Sequence, residues 1–289
     1  MVKFLGGRRS PLRGTFGTRS PRRGGRPVCS LGLLCVACSS STWYYTNVSL
    51  IDTVIAELPA GRVLDVAVGP TRPCVEVETA GVRRCGLASW IDEAPPAAED
   101  IHWYVGQPVS ELTAAAGRPE KHALSSVGVA AMNALIPPPV EAVEKNAETQ
   151  IEELAGDGVV ALIGHFHFAE RLRRRVGRLE VIERAPLPGD RHEREAPEII
   201  PQADVVAATA MTIVNGSIDG ILELCRPQTT VMLLGPSTPL SPILFDLGID
   251  VLSGAVVTDC DAVRSVLPAA RSFRDFKHNG VKLVTLSRV

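Results

Sequence analysis

The chain has 289 residues, 45% of them hydrophobic and 21% charged, an ordinary globular composition with room for one large or two modest domains. Its net charge of −2 hides an asymmetry: residues 1–26 hold eight Lys and Arg and no acid, so the remainder sums to about −10. That balance argues against a nucleic-acid surface, no apolar run reaches the ~18 residues of a membrane span, and seven scattered cysteines argue against a disulfide scaffold and fit a reducing, cytoplasmic setting.

Residues 1–47 read as a basic, Gly/Arg/Pro/Ser-rich extension that buries too little surface to fold. A short apolar stretch, VCSLGLLCVAC, follows the basic run. It admits two further readings, a targeting signal and a metal-linked Cys35-x-x-Cys38. A zinc site would need about four ligands, and no second CxxC exists.

From about 48 to 150 the pattern predicts a smaller α+β domain. SLIDTVIAEL has helical spacing with Ser49 as its cap. RVLDVAVG is strand-like, and PCVEVETAGVRRCGLAS reads as a hairpin. Centring the turn on Thr79-Ala80 places Glu76 opposite Arg83 and Cys74 opposite Cys85. Plain packing, a disulfide and a thiol metal pair are then the readings of the two cysteines. A helix follows at 108–117, with Ser110 as its cap. A second, small-residue helix follows at 125–136, stopped by Pro137-Pro138-Pro139. Asn133 is the polar residue inside it. A buried Asn needs partners, so it either specifies packing or faces a cleft.

From about 151 to 289 near-continuous Val/Ile/Leu strands alternate with helical segments. The strands are 158–164, 179–184, 203–210, 229–235, 249–257 and 281–286. This pattern predicts a doubly wound, Rossmann-like parallel sheet whose ligands sit outside the carboxyl ends of its strands.

Those ends carry the candidate site residues. The first is Gly164-His165-Phe166-His167. A dinucleotide fingerprint needs more glycines, while the two histidines, on a continuing strand, would point the same way as a metal pair. The second ends in Glu183, where an acid would hold a ribose hydroxyl, and Asp190 lies in the loop beyond. The third leads through Thr209 and Thr212 to Asn215-Gly216, a turn with positive φ, and to Ser217, a helix cap. The fourth ends in Gly235-Pro236-Ser237-Thr238-Pro239, a loop stiffened by its prolines. Ser241-Pro242 there would cap the next helix and leave Ser237 and Thr238 free to bind. Asp259 follows the fifth.

Three segments, IGHFHFAERLRRRVGRLEVIERAPLPGD, PQADVVAATAMTIVNGSIDGILEL and VMLLGPSTPLSPILFDLGIDVLSGAVVTD, resemble the heavy-metal chelation family. The T-x-x-N-G-[ST] and G-P-S-T-P-L motifs carry the resemblance, which spans about residues 48–289. It implies a Rossmann-like C-terminal domain preceded by one like the enolase N-terminal domain, with SVGVAAMNALI as the helix that ends it. It further implies a metal or metal complex in a cleft between the two. By position the pocket residues would be Asn133, Glu183, Asp190, Thr209, Thr212, Asn215, Ser237, Thr238 and Asp259, with Gly164, Gly216 and Gly235 at the turns.

Three functions compete. A binding protein for a metal, a metal complex or a small molecule fits the hydroxyl-rich loops. An enzyme using a nucleotide or adenosyl cofactor rests on Glu183 and the sheet. A serine hydrolase would use Ser237, Asp259 and His278, but Pro239 replaces the second glycine of its elbow. A small-molecule or metal partner is expected, and a homo-oligomer is compatible with the chain.

Overall fold

The computed structural model describes residues 33–34, 46–91 and 101–288. The Cys35-x-x-Cys38 pair and the basic segment lie outside the described residues. Two short strands, β1 (Leu33–Leu34) and β2 (Thr46–Asn47), pair antiparallel.

Ser49 caps α1 (Leu50–Ala56) as the spacing predicts, accepting from Asp52 N. Strands β3 (Arg62–Val68), β4 (Pro73–Thr79) and β5 (Val82–Leu87) form an antiparallel sheet in that order. The hairpin register differs from the expected one. Its two turn residues are Ala80 and Gly81, at φ 51° and 74°, a type I′ geometry that follows the right-handed strand twist. Glu76 therefore pairs with Cys85 and Cys74 with Leu87. Cys74, Glu76, Cys85 and Leu87 share one face, and Val75 and Val77 the other.

Ser110 does not cap its helix: α2 (Ser110–Thr113) starts after Val109, with no side-chain cap bond. The long helix α3 (Ala123–Leu135) packs on the Val75/Val77 face. Its small residues are required there. A Cβ at Gly86 would collide with the Ala130 and Asn133–Ala134 backbone, and one at Gly128 with Leu112 O and Ala116 N. Next comes α4 (Ala147–Ala155), capped by Asn146.

The second sheet has seven strands: β6 (Val159–Ile163), β7 (Arg178–Glu183), β8 (Arg191–His192), β9 (Val205–Thr209), β10 (Thr230–Leu234), β11 (Val251–Val257) and β12 (Val281–Ser287). Their order is β12-β11-β10-β9-β6-β7-β8. Strands β6 to β11 run parallel, and β12 closes the edge antiparallel to β11. The order reverses between β6 and β9, which is the topological switch point. Both faces are buried. Val160 and Leu162 join one cluster and Ala161 another; Val231 and Leu233 face one side, Met232 and Leu234 the other. A strand buried on both faces has no polar alternation, which is why these segments read as continuous apolar runs.

The connecting helices are shorter than their periodicity suggests. After α5 (Ala169–Leu172), the bonds Arg174 N to Arg171 O and Arg175 N to Leu172 O tighten to three-residue spacing. Helices α6 (Ala196–Ile199), α7 (Met211–Val214), α8 (Ile218–Leu224) and α9 (Ile243–Asp246) precede α10 (Cys260–Val266). Neither Ser217 nor Ser241 caps with its side chain; Pro242 precedes α9 directly.

The N-terminal sheet and its helices dock on the second sheet through polar ties. Ser125 Oγ donates to Val214 O (2.6 Å), Leu50 N donates to Asp219 Oδ1 (3.0 Å), and Ser89 N donates to Ser237 Oγ (2.8 Å). Among the described residues, no helix is long and apolar enough to cross a membrane.

Candidate functional site

Where β5 approaches β11, the end of α3 and the loop after β10 complete a crevice of about 40 Å³. Asn133, Thr238, Arg84, Cys85, Pro137 and Val256 are among its walls. Asn133 reaches it from the last turn of α3. Its Nδ2 donates to Leu87 O (2.9 Å) and Ser237 O (3.3 Å), which sets the amide's orientation. Its Oδ1 is then buried without a partner. Asn133 thus plays both parts open to it, tying two segments together while facing a cleft.

Thr238, only 2% exposed, lines the same crevice. The turn bond from Thr238 N to Gly235 O (3.0 Å) holds it, and Gly235 takes φ 120° to make that turn. Thr238 Oγ1 is buried and has no hydrogen-bond partner. Ser237 is different. Its Oγ accepts from Ser89 N, so the hydroxyl expected to be free closes the interface between the two sheets instead. Arg84, which donates to Leu135 O (3.4 Å), lines the same crevice and is the one charged side chain among its described lining residues.

The remaining predicted residues do not join this crevice. At the ends of β6 and β7, His165 N donates to Glu183 Oε1 (3.0 Å), and Arg184 N to Glu183 Oε2 (2.7 Å). His165 Nδ1 bonds Asp190 Oδ2 (2.8 Å), and Leu187 N donates to the same oxygen (3.1 Å). His167 is exposed and edge-on to Phe168. Strand β6 ends at Ile163, so the continuing strand on which the metal-pair expectation rests is not there to align the two rings. Gly164, at φ 102°, closes the turn against Thr209.

Past β9, Thr212 Oγ1 donates to Thr209 O (2.8 Å), and Asn215 Oδ1 accepts from Ser217 N (3.0 Å). Gly216, at φ 71°, packs its backbone against Gly117 O. These residues build the turn that receives the N-terminal helices. Asp259 caps α10, accepting from Ala262 N (3.0 Å).

Two family models match the chain, one over residues 51–136 and the other over 146–285, and both carry the description "Putative heavy-metal chelation". The chain belongs to this family. Two solved family members of unknown function are similar in fold. One, from Desulfitobacterium hafniense, is 22% identical with a TM-score of 0.73, over 83% of this chain and 98% of its own. Another, from Pyrococcus horikoshii, is 21% identical with a TM-score of 0.66, over 82% of this chain and 98% of its own. No curated protein sequence matches.

The family's description invites a test of the crevice as a heavy-metal site. An amide oxygen, a hydroxyl, an arginine and one thiol, Cys85, do not fit a bare soft cation, which wants several thiolates. Among the described residues, no group of three or more His, Cys, Asp and Glu side chains could hold a metal. The thiols gather at and behind its Cys85 wall, where Cys260 joins the two cysteines of the hairpin, a partner the sequence did not signal. Cys85 interacts with both Cys74 and Cys260, the latter 175 positions further along the chain than Cys85. Contact with Cys260 pulls the Cys85 thiol down, yet contact with Cys74 and burial push it well above the usual thiol range. Contact with Cys85 and burial likewise raise Cys260. Burial pushes the separate Cys225 up to about 11.

Proposed function

We propose that the protein binds a small polar ligand or a metal complex in the crevice between α3 and the loop after β10. The observation that carries this reading is the pair of buried oxygens without partners, Asn133 Oδ1 and Thr238 Oγ1, on residues that line one cavity. A buried polar atom left unpaired costs about 1–3 kcal/mol, so a ligand that bonds both recovers that cost on binding. The prolines at 236 and 239 hold the loop in place before binding, which limits the ordering cost. A metal complex would enter only by one outward donor group offered to these oxygens, because about 40 Å³ admits no more than a few ligand atoms.

A nucleotide or adenosyl cofactor has less support. Both Glu183 oxygens accept backbone N–H groups, and the crevice is far smaller than the ~300–1,000 Å³ of ordinary cofactor pockets. The Ser237 hydroxyl, committed to Ser89 N, and the capping role of Asp259 leave no hydrolase triad.

The test is elemental analysis and native mass spectrometry of protein purified without a metal-affinity tag. One small molecule or metal complex per chain is expected, released on denaturation and absent from Thr238→Val. If nothing co-purifies and no added metal or metal complex shifts the melting temperature, the reading fails.

A further inference from the structure

We propose that Cys85 and Cys260, with Cys74 beside them, bind one soft, two-coordinate metal ion of the Cu(I) type, at a site separate from the polar contacts of the crevice. The hairpin register puts Cys74 and Cys85 on the sheet face that meets α10, and Cys260 is the first residue of that helix. The three lie in one apolar cluster with Val263, Leu267 and Phe276. Cys74 and Cys85 are buried, Cys260 is partly exposed, and all three are free thiols.

Cys85 is the middle member, packed in this one cluster with Cys74 on the neighbouring strand and Cys260 on the helix. A two-coordinate ion needs only two of these sulfurs, which suits a place where no larger donor group is arranged. Thiolates select soft ions over the hard cations that carboxylates favour. The apolar shell keeps water from competing for the ion. Arg83 lies near enough to Cys260 to offset thiolate charge, and Glu76, which opposes it, is itself paired with Arg83 and Arg264. Access exists on two sides, because Cys85 also lines the crevice and Cys260 reaches solvent. On binding, two S–H bonds break, two sulfur–metal bonds form, and two protons pass to solvent. The ion would cross-link the N-terminal hairpin to α10.

The experiment uses the full chain with Cys29, Cys35 and Cys38 changed to serine, reduced without added thiols and kept anaerobic. It is titrated with Cu(I) held by a competing chromophoric chelator. One equivalent is expected to pass to the protein, with an ultraviolet thiolate-to-copper band. C85S and C260S should each weaken binding by more than about a hundredfold, beyond what loss of a merely supporting residue costs. C225S and Thr238→Val should bind as the parent does, and the latter separates this site from the crevice. Failure to draw Cu(I), or parent-like binding by C85S, overturns the proposal. Should C85S lose its far-ultraviolet dichroism, C260S decides alone, because Cys260 is partly exposed at the start of its helix; parent-like affinity there overturns the proposal equally.

Discussion

Two ends of the same sheet treat their polar residues in opposite ways. Beyond β6 and β7, Glu183, His165 and Asp190 are polar, close together and satisfied: each carboxylate receives a backbone N–H, and the imidazole bonds Asp190. Beyond β10, by contrast, the Asn133 and Thr238 oxygens are buried, where the bonds of the other end are exposed, yet these two oxygens remain unpaired. Richness in ionisable groups is therefore a poor guide to a site. What marks the crevice is desolvation without compensation, a cost that folding alone does not recover.

The sharpest way to break this comparison is Asn133→Ala. It strips Leu87 O and Ser237 O of their donor, and a loss of about 2 kcal/mol in unfolding free energy is expected from urea titration. It should also abolish stabilisation by any retained ligand. A loss below about 0.5 kcal/mol would mean that water replaces the amide freely and the crevice is open to solvent.

Thr238→Val comes next. It removes a hydroxyl without a partner at nearly constant volume, so the ligand-free protein should be unchanged or more stable by about 1 kcal/mol. Clear destabilisation would show that the hydroxyl is bonded after all, and the contrast between the two ends would collapse.

At the other end, His165→Ala breaks a partly exposed pair with Asp190 and should cost no more than about 1 kcal/mol. Ligand-induced shifts in melting temperature should survive it. Their loss would move the site to the β6–β7 edge.

The smallest effect serves as a control remote from both ends. Burial alone would raise the Asp52 carboxyl, but the bonds from Ser49 and Arg118 hold it below its usual range. A depressed folded value means the carboxylate contributes stability at neutral pH and loses it as the pH falls from about 4 through that lower value. Asp52→Asn should flatten this acid slope by a few tenths of a kcal/mol, after allowance for solvent screening, and leave ligand binding untouched.

The parallel sheet was legible from residues 158 to 257 because burial on both faces removes polar alternation, and the chain displays that in each strand separately. Caps were less legible. Ser49 caps as expected, whereas Ser110, Ser217 and Ser241 do not, since each has a competing local geometry that only the packed chain selects. The turn moved by one residue because Gly81 accepts a positive φ beside Ala80, and that moved the pairing by two and took Cys74 away from its expected partner.

Composition and strand pattern by themselves determined the fold class, and motif order pointed to the family. Only the tertiary structure decided that Ser237 is committed and Thr238 is not, and that thiols at 74, 85 and 260 meet. The reason is that hydrogen-bond partners and core neighbours are chosen across separations of more than a hundred residues, as with Ser89 and Ser237. Nothing in the local pattern of either segment encodes which partner the other will present.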